Sequence, residues 1–438
     1  MAKKKRIRRK HSTSFYAVLP MVGLMFFMMI DFGRGNDVET ASGGALLTLV
    51  RATLYLAAGT FLLKGFKRNL NWFGSRIELV LCLVFVLVSA AWANYPVRVM
   101  INFLHFLGGA IAAYAAARYF ARYPDRVLPF LAVMFGTASV LSILAVFFLP
   151  TSGLQYFQWE EVYRWRGVTT NPNSLGLICL LTVWSNAGMI LTTKNQKLRI
   201  LGVGFIGVAI ACLIGAESRT SQMMSVVSVV LSVLIYYVYT DTNAGRRKKL
   251  VFLTYFLIVI SVVLVAFFAD FFVPDNATHA LGREKNLSGR TNLWQDAFIL
   301  IKMHPLVGWG FDNHKAAYEV IFNEVPHYHN GYIDMLVAGG AIGLALFLAF
   351  IIRIFRDDFK ALKITPGVFA PFLGLMVAFM IYNMTEVTIG AFANIFWMTA
   401  LFSYFLAGQV LKRVRRKKRR RKFVDIPKRH RKKVIASV

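Results

Sequence analysis

Residues 127–149 read VLPFLAVMFGTASVLSILAVFFL, a run without one charged side chain, preceded by Arg118, Arg122 and Arg126. A helix that crosses the hydrocarbon core of a bilayer needs about 20 mostly apolar residues, and this run supplies them. Similar runs recur along the chain, with cores near 15–30, 45–63, 77–93, 99–117, 174–192, 198–216, 220–239, 250–273, 332–352, 367–384 and 387–411, which makes twelve candidate spans. The composition agrees: of 438 residues 57% are apolar and 16% charged, with a mean hydropathy of +0.54, against roughly 45–50% apolar and a quarter charged in soluble chains. The expectation is an all-α polytopic membrane protein. A soluble multidomain chain, a coiled coil, a disordered polymer and a disulfide-stapled secreted domain are all excluded.

Charge then orients the spans, because cytoplasmic connections of membrane proteins carry an excess of Lys and Arg. With the N-terminus inside, the cytoplasmic segments hold 7 (1–14), 4 (64–76), 3 (118–126), 3 (194–199), 4 (246–249), 4 (353–363) and 15 (412–438) such residues, or 40 of the 51 in the chain. Twelve spans also return the basic C-terminus to the inside, where an odd number would strand one basic tail outside. The first run follows Lys3–Lys10 like a signal peptide, but no small-residue cleavage site closely follows Ile30, so it reads as a retained helix. The organisation expected is a basic cytoplasmic tail over 1–14, a helical domain over 15–411 and a second basic tail over 412–438. The net charge of +30 therefore sets topology and attracts anionic lipid. Nucleic acid is the poorer reading, since the tails lack interleaved aromatics or a folded module. Cys82, Cys179 and Cys212 lie inside apolar runs as small hydrophobes, with no metal-ligand spacing.

Two extracytoplasmic segments are long, one over about 150–173 and a larger one over about 274–331, before the tenth helix. Loops held on a scaffold carry function, so the chemistry is expected at the outer face. The sixth, eighth and tenth helices begin there, and Arg166, Arg219 and His329 sit at or just before their N-termini. Such ends present free N–H groups and the positive end of the dipole. Arginine adds a permanent, bidentate charge, so this arrangement suits a phosphate or diphosphate. Histidine is the side chain that takes a proton near neutral pH. A transfer reaction follows, in which the base deprotonates a hydroxyl while cations stabilise a departing phosphate. Blander readings apply elsewhere. Arg51 and Arg98 read as snorkelling anchors, His304 and His327 as loop residues, Trp294, Trp309 and Tyr332 as interfacial belt, and Asp270, Asp334 and Glu386 as solvated ends. Gly308 and Gly310 read as a turn. No acidic pair or His/Cys cluster suggests a metal, and no cofactor is expected.

The set Arg219-Thr220, Gly289-Arg290 with Trp294, Pro305 with Gly308 and Gly310, and His329-Asn330 followed by Gly339 resembles the O-antigen ligase and polymerase family of bacterial envelope enzymes. By motif the resemblance covers about 160–345. It implies a metal-independent membrane glycosyltransferase at the outer face of the bacterial cytoplasmic membrane, acting in lipopolysaccharide or exopolysaccharide biosynthesis. The donor would be a glycan on undecaprenyl diphosphate, and the acceptor a glycan or a lipid-linked sugar; ligase and polymerase stay open. Arg219 and Arg290 would hold the diphosphate and His329 would be the base, with Arg166, Trp294 and His327 as further substrate contacts. The alternatives are a transporter or flippase for lipid-linked oligosaccharide and a protein O-oligosaccharyltransferase. A transporter places its polar groups near the midplane, in repeated halves. Here they gather at the outer boundary.

Overall fold

The computed structural model describes residues 16–31, 45–63, 66–157, 161–271, 290–312, 314, 320 and 327–424. Both tails beyond these limits and all of 272–289 lie outside the described residues, as do the side chains of Asp270 and Arg290. Each of the twelve apolar runs contains a helix. In chain order the elements are α1 (Leu19–Met29), α2 (Ala45–Leu63), the short connecting α3 (Phe66–Gly74), α4 (Ile77–Val88), α5 (Pro96–Phe120), α6 (Val127–Phe148), strands β1 (Leu154–Phe157) and β2 (Val162–Trp165), α7 (Pro172–Thr192), α8 (Gln196–Ala216), α9 (Arg219–Thr240), α10 (Ala244–Phe271), α11 (Arg290–Met303), α12 (Gly331–Leu362), α13 (Pro366–Tyr382) and α14 (Ile395–Val424). Among the described residues, seven helices are long and apolar enough to cross a membrane, while α1, α2, α4 and α13 contribute shorter apolar stretches. The protein is an all-α, multi-pass membrane protein. Among the described residues one antiparallel ribbon pairs Leu154 with Trp165 and Gln155 with Arg164.

Small residues let the helices approach, as expected where lipid removes the hydrophobic drive between spans. Ser221, Ser225, Ser228 and Ser232 recur at spacings that share one face of α9, and all four are buried. Ser232 donates to the carbonyl of Pro371 on α13 at 3.3 Å. On α5 the run from Ala112 to Ala117 is buried beside α14. Phe106, Phe347, Phe392 and Trp397 stack between α5, α12 and the start of α14. The opposite end is tied by charge. Arg353 reaches Glu78 at 2.9 Å and Asp357 at 3.3 Å, and Arg76 pairs with Asp357 while stacking between the rings of Trp72 and Tyr404.

Two interruptions matter for the site. The helix α12 is broken at Gly340, whose φ of 60° and ψ of −166° suit glycine alone. Residues 305–310 lie in the break: Trp309 and Gly310 donate to the carbonyls of Val337 and Ala338 at 2.9 and 2.8 Å, and Ala341 and Ile342 donate to those of Pro305 and Leu306. A Cβ at Gly340 would stand 2.4 Å from the backbone of Leu306. The turn expected at Gly308 and Gly310 is thus a backbone splice that fastens the large loop into a span. The second interruption separates α13 from α14. The apolar runs suggested a break of two residues at Thr385 and Glu386, but the chain stays non-helical from Asn383 to Asn394. Asn383 holds this turn, accepting from the N–H groups of Thr388 and Ile389 at 2.9 Å each. Irregular backbone within a helical membrane bundle is tolerated where protein buries it.

Candidate functional site

The N-terminal ends of α7, α9 and α12 and the Asn383–Asn394 turn meet at one end of the bundle. Each start is fixed locally. Asn171 caps α7, its side chain accepting from the N–H of Ser174 at 2.8 Å, and Asn330 caps α12, accepting from Tyr332 and Ile333 at 3.0 and 3.2 Å. Asn330 also donates to the Met384 carbonyl at 3.2 Å, and the N–H of Gly331 is shared by the carbonyls of Asn383 and Glu386 at 2.8 and 3.1 Å. The His329-Asn330 motif is thereby stitched to the turn that carries Glu386.

His329 itself sits in the left-handed region, with φ of 47°, a conformation that non-glycine residues keep where surroundings enforce it. Its Nδ1 faces Glu386 Oε2 at 3.6 Å, within ion-pair range and long for a hydrogen bond. The other Glu386 oxygen accepts from Asn173 Nδ2 at 3.1 Å. The His327 ring packs edge-on against His329 with centroids 4.2 Å apart, and its Nδ1 accepts from the His329 N–H at 3.4 Å. Burial, with the like charge of His329, lowers the His327 pKa, so this imidazole stays neutral near pH 7. Behind them His314 Nε2 pairs with Asp334 Oδ2 at 3.0 Å, and Asp334 also accepts from the Tyr328 N–H. Burial disfavours the His314 cation, but the adjacent Asp334 carboxylate outweighs it and the pKa rises. A cleft of about 490 Å³ opens over these groups, lined also by Arg164, Tyr382 and Asn394.

The sequence-derived residues fall as follows. His329 and His327 line the cleft. Arg219 is exposed at the first position of α9, and its neighbour Thr220 accepts from Thr385, next to Glu386, at 3.2 Å. Arg290 opens the helix α11. Trp294 donates from Nε1 to the Tyr328 carbonyl at 2.9 Å, so it pins that helix to the histidine-bearing loop. Arg166 instead serves the scaffold, donating to the Ser152 carbonyl at 2.8 Å and lying 3.7 Å from Asp31. Its neighbour Arg164 is the guanidinium of that segment which enters the cleft, while donating to the Ala216 carbonyl at 2.7 Å. Asp334 and Glu386, read as solvated ends, have side chains only 15% and 12% exposed and face histidines. The pairing of Glu386 with Asn173 is not legible in the sequence, because it is a contact across 213 residues. Spacing alone cannot say which of two nearby arginines, Arg164 or Arg166, turns inward. Among the described residues no group of three His, Cys, Asp or Glu could hold a metal ion.

This all-helical membrane protein thus gathers histidine, carboxylate and guanidinium side chains around one cleft. Residues 203–348 match the O-antigen ligase family. The chain is also 22% identical over 315 residues to the exopolysaccharide production protein ExoQ of Rhizobium meliloti (strain 1021), covering 68% of this chain and 69% of that protein. These matches support assignment of the chain to the O-antigen ligase and polymerase family and a glycan-joining role in polysaccharide biosynthesis. Arg219, Arg290, His327 and His329 fall within the matched segment; Arg164, Asn173 and Glu386 lie outside it.

Proposed function

We propose that the protein is a glycosyltransferase that moves a glycan from undecaprenyl diphosphate to a sugar hydroxyl at the outer face of the cytoplasmic membrane, without a metal or cofactor. The observation that carries this reading is the His329–Glu386 pair in a cleft at the end of the bundle remote from the Lys/Arg-rich connections. With Nδ1–H directed at Glu386, Nε2 is the nitrogen left to accept a proton. The acceptor oxygen attacks the anomeric carbon of the donor and its proton passes to His329 Nε2. The bond from that carbon to the diphosphate oxygen breaks, and the diphosphate leaves on its lipid. Glu386 stabilises the imidazolium formed, and Arg164, Arg219 and Arg290 stabilise the leaving group. Arg166, Trp294 and His327 support the site by holding its walls. The name of the Rhizobium relative favours a role in exopolysaccharide production over ligation to a lipopolysaccharide core.

Membranes containing His329→Ala and supplied with a lipid-linked repeat unit are expected to accumulate single units, with transfer reduced roughly 10²–10⁴-fold and protein abundance unchanged. Wild-type product ladders from this variant, or loss of wild-type activity in EDTA that Mg²⁺ restores, would contradict the mechanism.

A further inference from the structure

A second cavity, of about 510 Å³, opens at the same end of the bundle between α2, α5, α7 and the Asn383–Asn394 turn. Ser174, Leu177, Gly390, Ala391 and Asn394 line both this cavity and the His329 cleft, so the two share a wall. Arg51 and Arg98 both line it, beside His105, whose Nδ1 meets the Tyr55 hydroxyl at 2.7 Å. No acidic side chain lines it among the described residues, and neither guanidinium has a carboxylate partner among them. A snorkelling anchor sends its head to bulk water. Arg51 is instead half-buried within α2, where it is the one charged residue, and it converges with an arginine from another helix on one cavity. Ionisable groups inside spans mark substrate paths. Ile101 and Leu104 also line the cavity and are 44% and 51% exposed, and apolar exposure on a span faces acyl chains. The mouth therefore opens sideways into lipid, while two charged forks wait for an anion with several oxygens.

We propose that this cavity seats the phosphate of a second lipid-linked glycan, the acceptor, and so presents its hydroxyl to His329 across the shared wall. The inference rests on the functional reading above, which places the donor diphosphate at the His329 cleft. Both substrates are then lipid-borne, and they enter by separate doors.

The test is the stoichiometry of undecaprenyl diphosphate binding to the full-length protein in phosphatidylcholine nanodiscs. Wild type is expected to bind two equivalents, Arg51→Gln with Arg98→Gln one, and Arg51→Lys with Arg98→Lys two. The equivalent retained by the Gln pair is the one that Arg219→Ala removes, and it reports that the Gln pair is folded. With a short lipid-linked acceptor the Gln pair raises the acceptor KM by about tenfold or more and leaves the donor KM unchanged. A single wild-type equivalent, lost only with Arg219→Ala, overturns the second site and leaves the functional reading standing. No equivalent at all overturns both. Displacement of the second equivalent by phosphatidylglycerol at comparable concentration overturns the proposal in favour of a structural lipid.

Discussion

Glu386 lies in the shortest gap between apolar runs, and its neighbours Val387, Ile389 and Phe392 make that gap look like more membrane. Folding turns it inward, where Asn173 holds one oxygen and His329 faces the other. In the proposed mechanism a carboxylate so placed stabilises the imidazolium. Glu386→Gln keeps a hydrogen-bonding side chain but removes the charge, so it is expected to lower turnover roughly 10²–10⁴-fold with little change in acceptor KM; wild-type turnover in a membrane assay would remove the carboxylate from the mechanism. His314 makes the parallel case for stability. Its pKa is raised in the folded protein, chiefly because Asp334 overcomes the cost of burial. A raised histidine contributes stability that is full below its unfolded value near 6.5 and is lost as pH rises through the folded value. Hydrogen exchange over 327–334 should therefore show protection falling as pH is raised above that range, after correction for intrinsic rates. His314→Gln should flatten the profile, and an unaltered profile would refute the linkage.

Helix positions were legible because hydropathy needs only local composition, and every expected span contains a helix. What hydropathy does not report is how an apolar run is interrupted. Gly339 and Gly340 sit in a run as apolar as any other, yet α12 opens there to take residues 305–310. The signals were present as Pro305, Gly308, Gly310 and Gly339, but they became a splice only when two segments of sequence met. The motif glycines thus position the site from behind: they fasten the large loop to α12, and α12 carries His329 and Asn330 at its start. Gly340→Ala should cost about 1–3 kcal/mol in backbone strain, to which the close approach to Leu306 adds. The expected result is a lower unfolding temperature in detergent together with loss of transfer. A variant equally stable and active would mean that the splice tolerates a side chain and does not set the geometry of the site.

The bundle has two chemically different ends. One bears Arg126, Lys194, Arg246 to Lys249, Lys363 and Lys412, the connections that the positive-inside rule assigns to the cytoplasm. The other bears the hairpin of β1 and β2, the cleft and the cavity of Arg51 and Arg98. Charge asymmetry and site geometry are independent features, since one resides in loops that topology selects and the other in contacts that folding creates. That they occupy opposite ends is what the proposed transfer of exported, lipid-anchored sugars requires. Labelling in intact cells tests the orientation directly. The cysteines Cys82, Cys179 and Cys212 are all buried, so the background is low. A Cys introduced at Tyr163, which is 66% exposed on the hairpin, should react with an impermeant thiol reagent. One at the exposed Lys248 should react only after the cells are opened. The reverse pattern would place the cleft in the cytoplasm, where export-linked transfer has no role.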